Sequence, residues 1–158
     1  MCNGDSKCSD CSKKSMSKYL RVLPPGFIRT KVTFNSADGI QVVGNNSVIL
    51  FNLARILDNV VSMEWTNTDL WYQLVSQPAV VSIDQLPNPN FTTTGVSYFA
   101  LIQSGNNFIS RPFPPSLQPT KSYSQLTFRI TDKDGNLISA LTQWFIEIEF
   151  IQKISKNE

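Results

Sequence analysis

The chain has 158 residues, 14 Lys and Arg against 12 Asp and Glu, and no histidine. The length suits one domain with a core large enough to fold unaided, while the missing histidine excludes Ser-His-Asp triads, Cys-His dyads and histidine-based metal centres. Charged residues make up 16%, against about 25% in ordinary soluble domains, so polarity falls to Ser, Thr, Asn and Gln. Faces of that kind are cheap to desolvate, which suits packing against neighbours better than catalysis or nucleic-acid binding.

The charge is local. Residues 1–18 hold Lys7, Lys13, Lys14 and Lys18 against Asp5 and Asp10, which leaves a body with ten side chains of each sign. The body therefore lacks the basic face that duplex DNA demands. The leader is Ser- and Lys-rich with almost no apolar residues, so it is expected to be a flexible N-terminal arm. It has neither the apolar run of a signal peptide nor the glycine that myristoylation needs. No apolar run in the chain reaches 18 residues, so no transmembrane helix is expected.

All three cysteines, Cys2, Cys8 and Cys11, fall in this arm, the last two as a C-x-x-C pair. Three thiolates fall one ligand short of a closed zinc site. Free thiols, a metal completed by Asp5, Asp10 or a neighbouring chain, an inter-chain disulfide and palmitoylation all remain open. The body, residues 19–158, has no cysteine and owes its fold to packing alone.

Along the body the apolar period is mostly two. Phe27-Ile28-Arg29-Thr30-Lys31-Val32-Thr33-Phe34 has strand length. Ile40-Gln41-Val42-Val43 and Val48-Ile49-Leu50-Phe51 flank the turn signal Gly44-Asn45-Asn46. Leu53, Ile56, Leu57 and Val60 stand at helical spacing and predict a turn or short helical pass, followed by a strand through Val61, Met63 and Trp65. Val96-Ser97-Tyr98-Phe99-Ala100-Leu101-Ile102 predicts another strand. Leu126, Phe128 and Ile130 alternate strictly with Thr127, Arg129 and Thr131. Trp144, Ile146, Ile148 and Phe150 do the same, with Glu147 and Glu149 facing out. Gln85-Leu86-Pro87-Asn88-Pro89-Asn90, Arg111-Pro112-Phe113-Pro114-Pro115 and Asp132-Lys133-Asp134-Gly135-Asn136 predict loops. Strands at this density indicate an all-β sandwich or barrel.

No catalytic constellation emerges. Asp132 and Asp134 with Gly135 have half the look of a calcium loop, but the downstream bidentate Glu is missing and turn chemistry explains the pattern. Glu147 and Glu149 share a strand face as solvated carboxylates rather than a glycosidase pair. Asn45-Asn46-Ser47 and Asn90-Phe91-Thr92 fit the glycosylation pattern, which matters only on the secretory route.

Three stretches in order carry a resemblance. They are Leu53 to Trp65, ending Asn59-Val60-Val61-Ser62-Met63-Glu64-Trp65; Val81-Ser82-Ile83-Asp84-Gln85-Leu86-Pro87 with Ser97-Tyr98-Phe99-Ala100-Leu101-Ile102; and Leu126 to Asn136 with Trp144 to Phe150. Together, across residues 50–151, the chain resembles capsid proteins of nucleocytoplasmic large DNA viruses and their relatives. The resemblance implies a single jelly-roll sandwich serving as a minor capsid protein or penton subunit in an icosahedral virion shell. Assembly in the infected host cell, other capsid proteins as partners and a homo-oligomer (a pentamer for a penton) follow from it. It implies no enzyme, cofactor or specific nucleic acid. It also puts residues 126–131 and 143–151 on opposite sheets, with residues 135–142 crossing between them. Trp65, Trp71 and Tyr72 are candidates for subunit contact, with core burial as the simpler role. A ligand-binding sandwich for carbohydrate or a receptor is the alternative, and would need those rings exposed as a platform.

Overall fold

The computed structural model describes residues 23–70, 79–88, 90–103, 107–109, 120–139 and 141–155, with backbone alone at residues 64–70, 102–103 and 107–109. In chain order these form β1 (Phe27–Asn35), a 3-10 turn (Ser36–Asp38), β2 (Ile40–Gln41), β3 (Val48–Leu70), β4 (Ala79–Ile83), β5 (Asn90–Phe91), β6 (Ser97–Tyr98), β7 (Ala100–Gln103), β8 (Asn107–Ile109), β9 (Lys121–Thr131) and β10 (Trp144–Lys153). All pairings are antiparallel. One sheet runs β1-β10-β3-β9-β4-β7-β8 with β2 on β3, and β5 pairs with β6 apart from it. The fold is all-β, as the alternation predicts, and no helix among the described residues is long and apolar enough to cross a membrane.

β3 shapes the molecule. Its first half pairs with β9, from Val48 opposite Arg129 to Val60 opposite Lys121. Its second half pairs with β10, from Val60 opposite Gln152 to Leu70 opposite Trp144. Val60 is thus the point where β3 changes neighbours, and it is fully buried. Four register shifts punctuate these ladders, and every one adds residues to β3: 53–56 against Ser124, 58–59 against Ser122, then Val61 and Thr66. An added residue bends a strand and increases its twist. Four on one strand curl the sheet, and the β1–β10 layer comes to lie over β9.

The apolar faces of those layers make one core. Phe34 of β1, Phe51 of β3, Phe128 of β9 and Trp144 of β10 bring four rings together. Their centroids lie 4.8 Å apart for Phe34–Phe128, 5.2 Å for Phe34–Phe51 and 5.8 Å for Phe128–Trp144, within the range where aromatic pairs attract. Leu126, Phe128, Ile130, Trp144, Ile146, Ile148 and Phe150, the alternating residues of the two clearest strands, are all buried. Trp144 is also tied by polar bonds: its indole N–H donates to the Asn46 carbonyl at 2.7 Å, and its backbone N–H donates to the buried Ser36 hydroxyl at 2.9 Å.

Two expectations are modified. The helical pass at residues 53–60 is strand, and its three- and four-residue spacing comes from the added residues: Leu57 and Val60 point into the core while Ile56 is 59% exposed. Residues 126–131 and 144–150 lie on one hydrogen-bonded sheet, joined through β3, rather than on two. They do not pair with each other, because a hairpin begins and stops: Thr131 bridges Leu137 and the Ile138 N–H reaches the Ile130 carbonyl at 3.4 Å. Ile138 and Leu141 then turn into the core, and the chain arrives at Trp144 on the facing layer.

Candidate functional site

The carboxylates that the sequence offers for chemistry are engaged. Glu147 and Glu149 stand on the outer face of β10, and β1 pairs alongside with Lys31 opposite Glu149 and Thr33 opposite Glu147. Arg29 reaches Glu149 at 3.4 Å and Lys31 reaches Glu147 at 3.2 Å, giving two cross-strand ion pairs. Asp132 closes its own turn: one carboxylate oxygen accepts the backbone N–H groups of Asp134 and Asn136, and the other accepts the Asn136 amide at 2.9 Å. The Asn136 side-chain bond, chiefly, holds the Asp132 pKa below the usual carboxylate range. No group of three metal-ligating side chains occurs among the described residues, and Cys2, Cys8 and Cys11 lie outside them.

The Asp84-Gln85-Leu86-Pro87 stretch is a clamp on β9. The Arg129 guanidinium donates to both Asp84 oxygens, at 2.7 and 2.9 Å. The Gln85 side chain accepts from the Thr127 N–H at 2.7 Å and donates to the Thr127 hydroxyl at 3.2 Å, continuing the β4–β9 ladder past the end of β4. Asn88 closes the loop by bonding both backbone groups of Ile83. The first glycosylation pattern is likewise occupied: Asn45 accepts from the Ser47 backbone and hydroxyl, and Ser47 is buried.

The candidate contact aromatics are only partly placed. Trp65 sits on β3 opposite Ile148, its side chain outside the described set, and Trp71 and Tyr72 lie outside the described residues. The exposed large aromatic among the described residues is Phe91, 75% accessible on the short β5–β6 ribbon.

What the sequence does not signal is a groove of about 390 Å3 between β1 and the bulged part of β3. Ile28, Thr30 and Val32 line one wall, Leu53, Arg55 and Ile56 the other. Gln152 joins the walls, accepting from the Thr30 hydroxyl at 2.7 Å and donating to the Asp58 carbonyl at 2.9 Å. Ile28 is 45% exposed although it shares the inward face of β1 with Val32 and Phe34. β1 ends the sheet, so its far edge has no strand partner among the described residues. A groove of this kind has apolar walls and a polar floor beside the last strand of the described sheet.

No family model matches the chain, and no curated protein matches it.

Proposed function

We propose that the chain is a structural, non-catalytic subunit of a virion, a minor capsid or penton protein with a jelly-roll body that packs into an icosahedral shell beside other capsid proteins. The observation that carries the reading is the path of β3. It gives β9 and β10 to facing layers around one aromatic core, and two facing layers are what a jelly roll requires. The stretches that carry the capsid resemblance supply these strands and the Gln85 clamp between β4 and β9. The outer face of β10 supports the same role, since its charges are neutralised in pairs and it can pack against a neighbour without net repulsion.

The test is imaging. Particles purified from the source of the chain should contain it by mass spectrometry, and their shell density should accept the curled sheet at a fixed symmetric position. Intact particles that lack the chain overturn the reading.

A further inference from the structure

We propose that Phe91 of one copy of this chain seats in the groove between β1 and β3 of a second copy, a head-to-tail contact that repeats around a ring. A ring of this kind serves a shell subunit, and in that use it rests on the virion reading; the contact itself shows in the purified chain, so either can fail without the other.

The β5–β6 ribbon builds the knob. Asn90 pairs with Tyr98 and Phe91 with Ser97, and cross-strand partners share a face. Asn90 and Tyr98 are half-buried, and the Asn90 amide donates to the Phe99 carbonyl at 3.4 Å, so their face lies on the body. Phe91 and exposed Ser97 therefore face outward, and the Phe91 side chain stands clear of the fold. The ribbon is braced. The Thr92 N–H donates to the Val96 carbonyl at 2.9 Å, and the Thr94 hydroxyl donates to the Lys133 carbonyl at 2.6 Å. A ring held in place in this way loses little freedom on docking.

The groove complements that knob in both polarity and charge. Ile28, Val32, Leu53 and Ile56 give it apolar walls for a ring. Arg55, which also lines it, is exposed and has no ion-pair or hydrogen-bond partner among the described residues. No carboxylate among those residues lines the groove. Beside Phe91 the signs are reversed: the ribbon tip rests on the turn after β9, where Asp132 and Asp134 outnumber Lys133. Seating Phe91 thus brings a negative turn toward an uncommitted cation, which fixes the orientation of the contact. A chain cannot fill its own groove. Leu57 of the groove pairs with Tyr123 near the start of β9, whereas the turn follows Thr131 at its end; at about 3.3 Å per residue the two places lie roughly 25 Å apart. Each copy therefore carries one knob and one groove at separate sites, a contact that closes into a ring or runs on as a filament.

Sedimentation velocity on the full-length chain, from about 10 μM to about 1 mM, tests this, because a small contact anchored by one ring is weak. The parent should associate as its concentration rises. Phe91→Asp and Ile56→Asp, both at exposed positions, should each weaken association by about tenfold or more, and Arg55→Glu by about tenfold through like charge. The two apolar variants then complement each other. Phe91→Asp keeps an intact groove and Ile56→Asp an intact knob, so their equimolar mixture should form dimers and nothing larger. A parent that stays monomeric at about 1 mM overturns the inference and leaves the virion reading standing. Association that survives Phe91→Asp also overturns it, and would assign the contact to another surface such as exposed Ile40 and Val42. So do a mixture that stays monomeric and an Arg55→Glu chain that associates like the parent.

Discussion

Tyr123 puts a hydroxyl into the core with no hydrogen-bond partner among the described residues. Burial raises its pKa above the ordinary phenol value. The fold thus favours the neutral form, a contribution present in full below about pH 10 and lost as the pH climbs from there through the raised folded value. Tyr123→Phe removes both the unsatisfied group and the titration. Unfolding at neutral pH should show stability unchanged or raised by up to about 1 kcal/mol, and the loss at about pH 11 should be shallower than in the parent. A clear loss at neutral pH would mean that the hydroxyl is satisfied in solution. Gly39 is constrained by space rather than by its backbone, since its φ of −99 is ordinary. A Cβ there would fall on the Ile49 methyl and the Phe51 ring, both in the buried layer of β3. Gly39→Ala should cost about 1–3 kcal/mol as an overpacking change, and denaturant unfolding reads it directly; a neutral result would show that the turn can move off β3.

At the scale of the element, β3 explains most of what the sequence conceals. Asn59 lies in one of its bulges with φ +51, a region that Asn tolerates and β-branched residues do not. Its side chain donates to the Ser155 hydroxyl at 2.8 Å and ties the segment just past β10 to the bulge. Asn59→Val should therefore destabilise by about 1–3 kcal/mol, and Asn59→Gly, which loses the bond but keeps the backbone, by less. Equal costs for the two would shift the cause from backbone to hydrogen bond. Strands that carry no added residue were legible: Leu126 to Thr131 pairs without a shift, and Trp144 to Phe150 alternates because the residue added at Thr66 lies on β3 while the register against β1 runs unbroken. β9 in fact starts at Lys121, and the pattern fails upstream because Ser124 faces the large bulge of β3. Within β3 the added residues turn a period of two into spacings of three and four, which imitate a helix in sequence. The groove was illegible for the same reason, since it exists only where 53–56 leave the ladder. Long-range pairing, not local propensity, decides such positions.

For the molecule as a whole, the facing layers imply one cooperative unit. Phe128 and Phe150 are fully buried on opposite layers. Truncating either to Ala should cost about 3–5 kcal/mol, with a single unfolding transition retained; near-neutral effects would make these faces contact surfaces instead of core. The N-terminal arm should behave otherwise. Residues 1–18 carry the net charge, all three thiols and almost no apolar area. A segment of that composition has little to offset the entropy of ordering on its own. On a shell subunit its use would lie outside the body, where acidic groups of a neighbour could pair its lysines and Cys8 and Cys11 could share a metal or a disulfide with that neighbour. Deleting residues 2–18 should leave the Tm of the purified chain within about 2 °C of the parent, because β1 and the turn at Pro24 are untouched. The same deletion should lower recovery of the chain in assembled particles. Normal recovery would sink the assembly role, whereas a large fall in Tm would make the arm part of the fold itself.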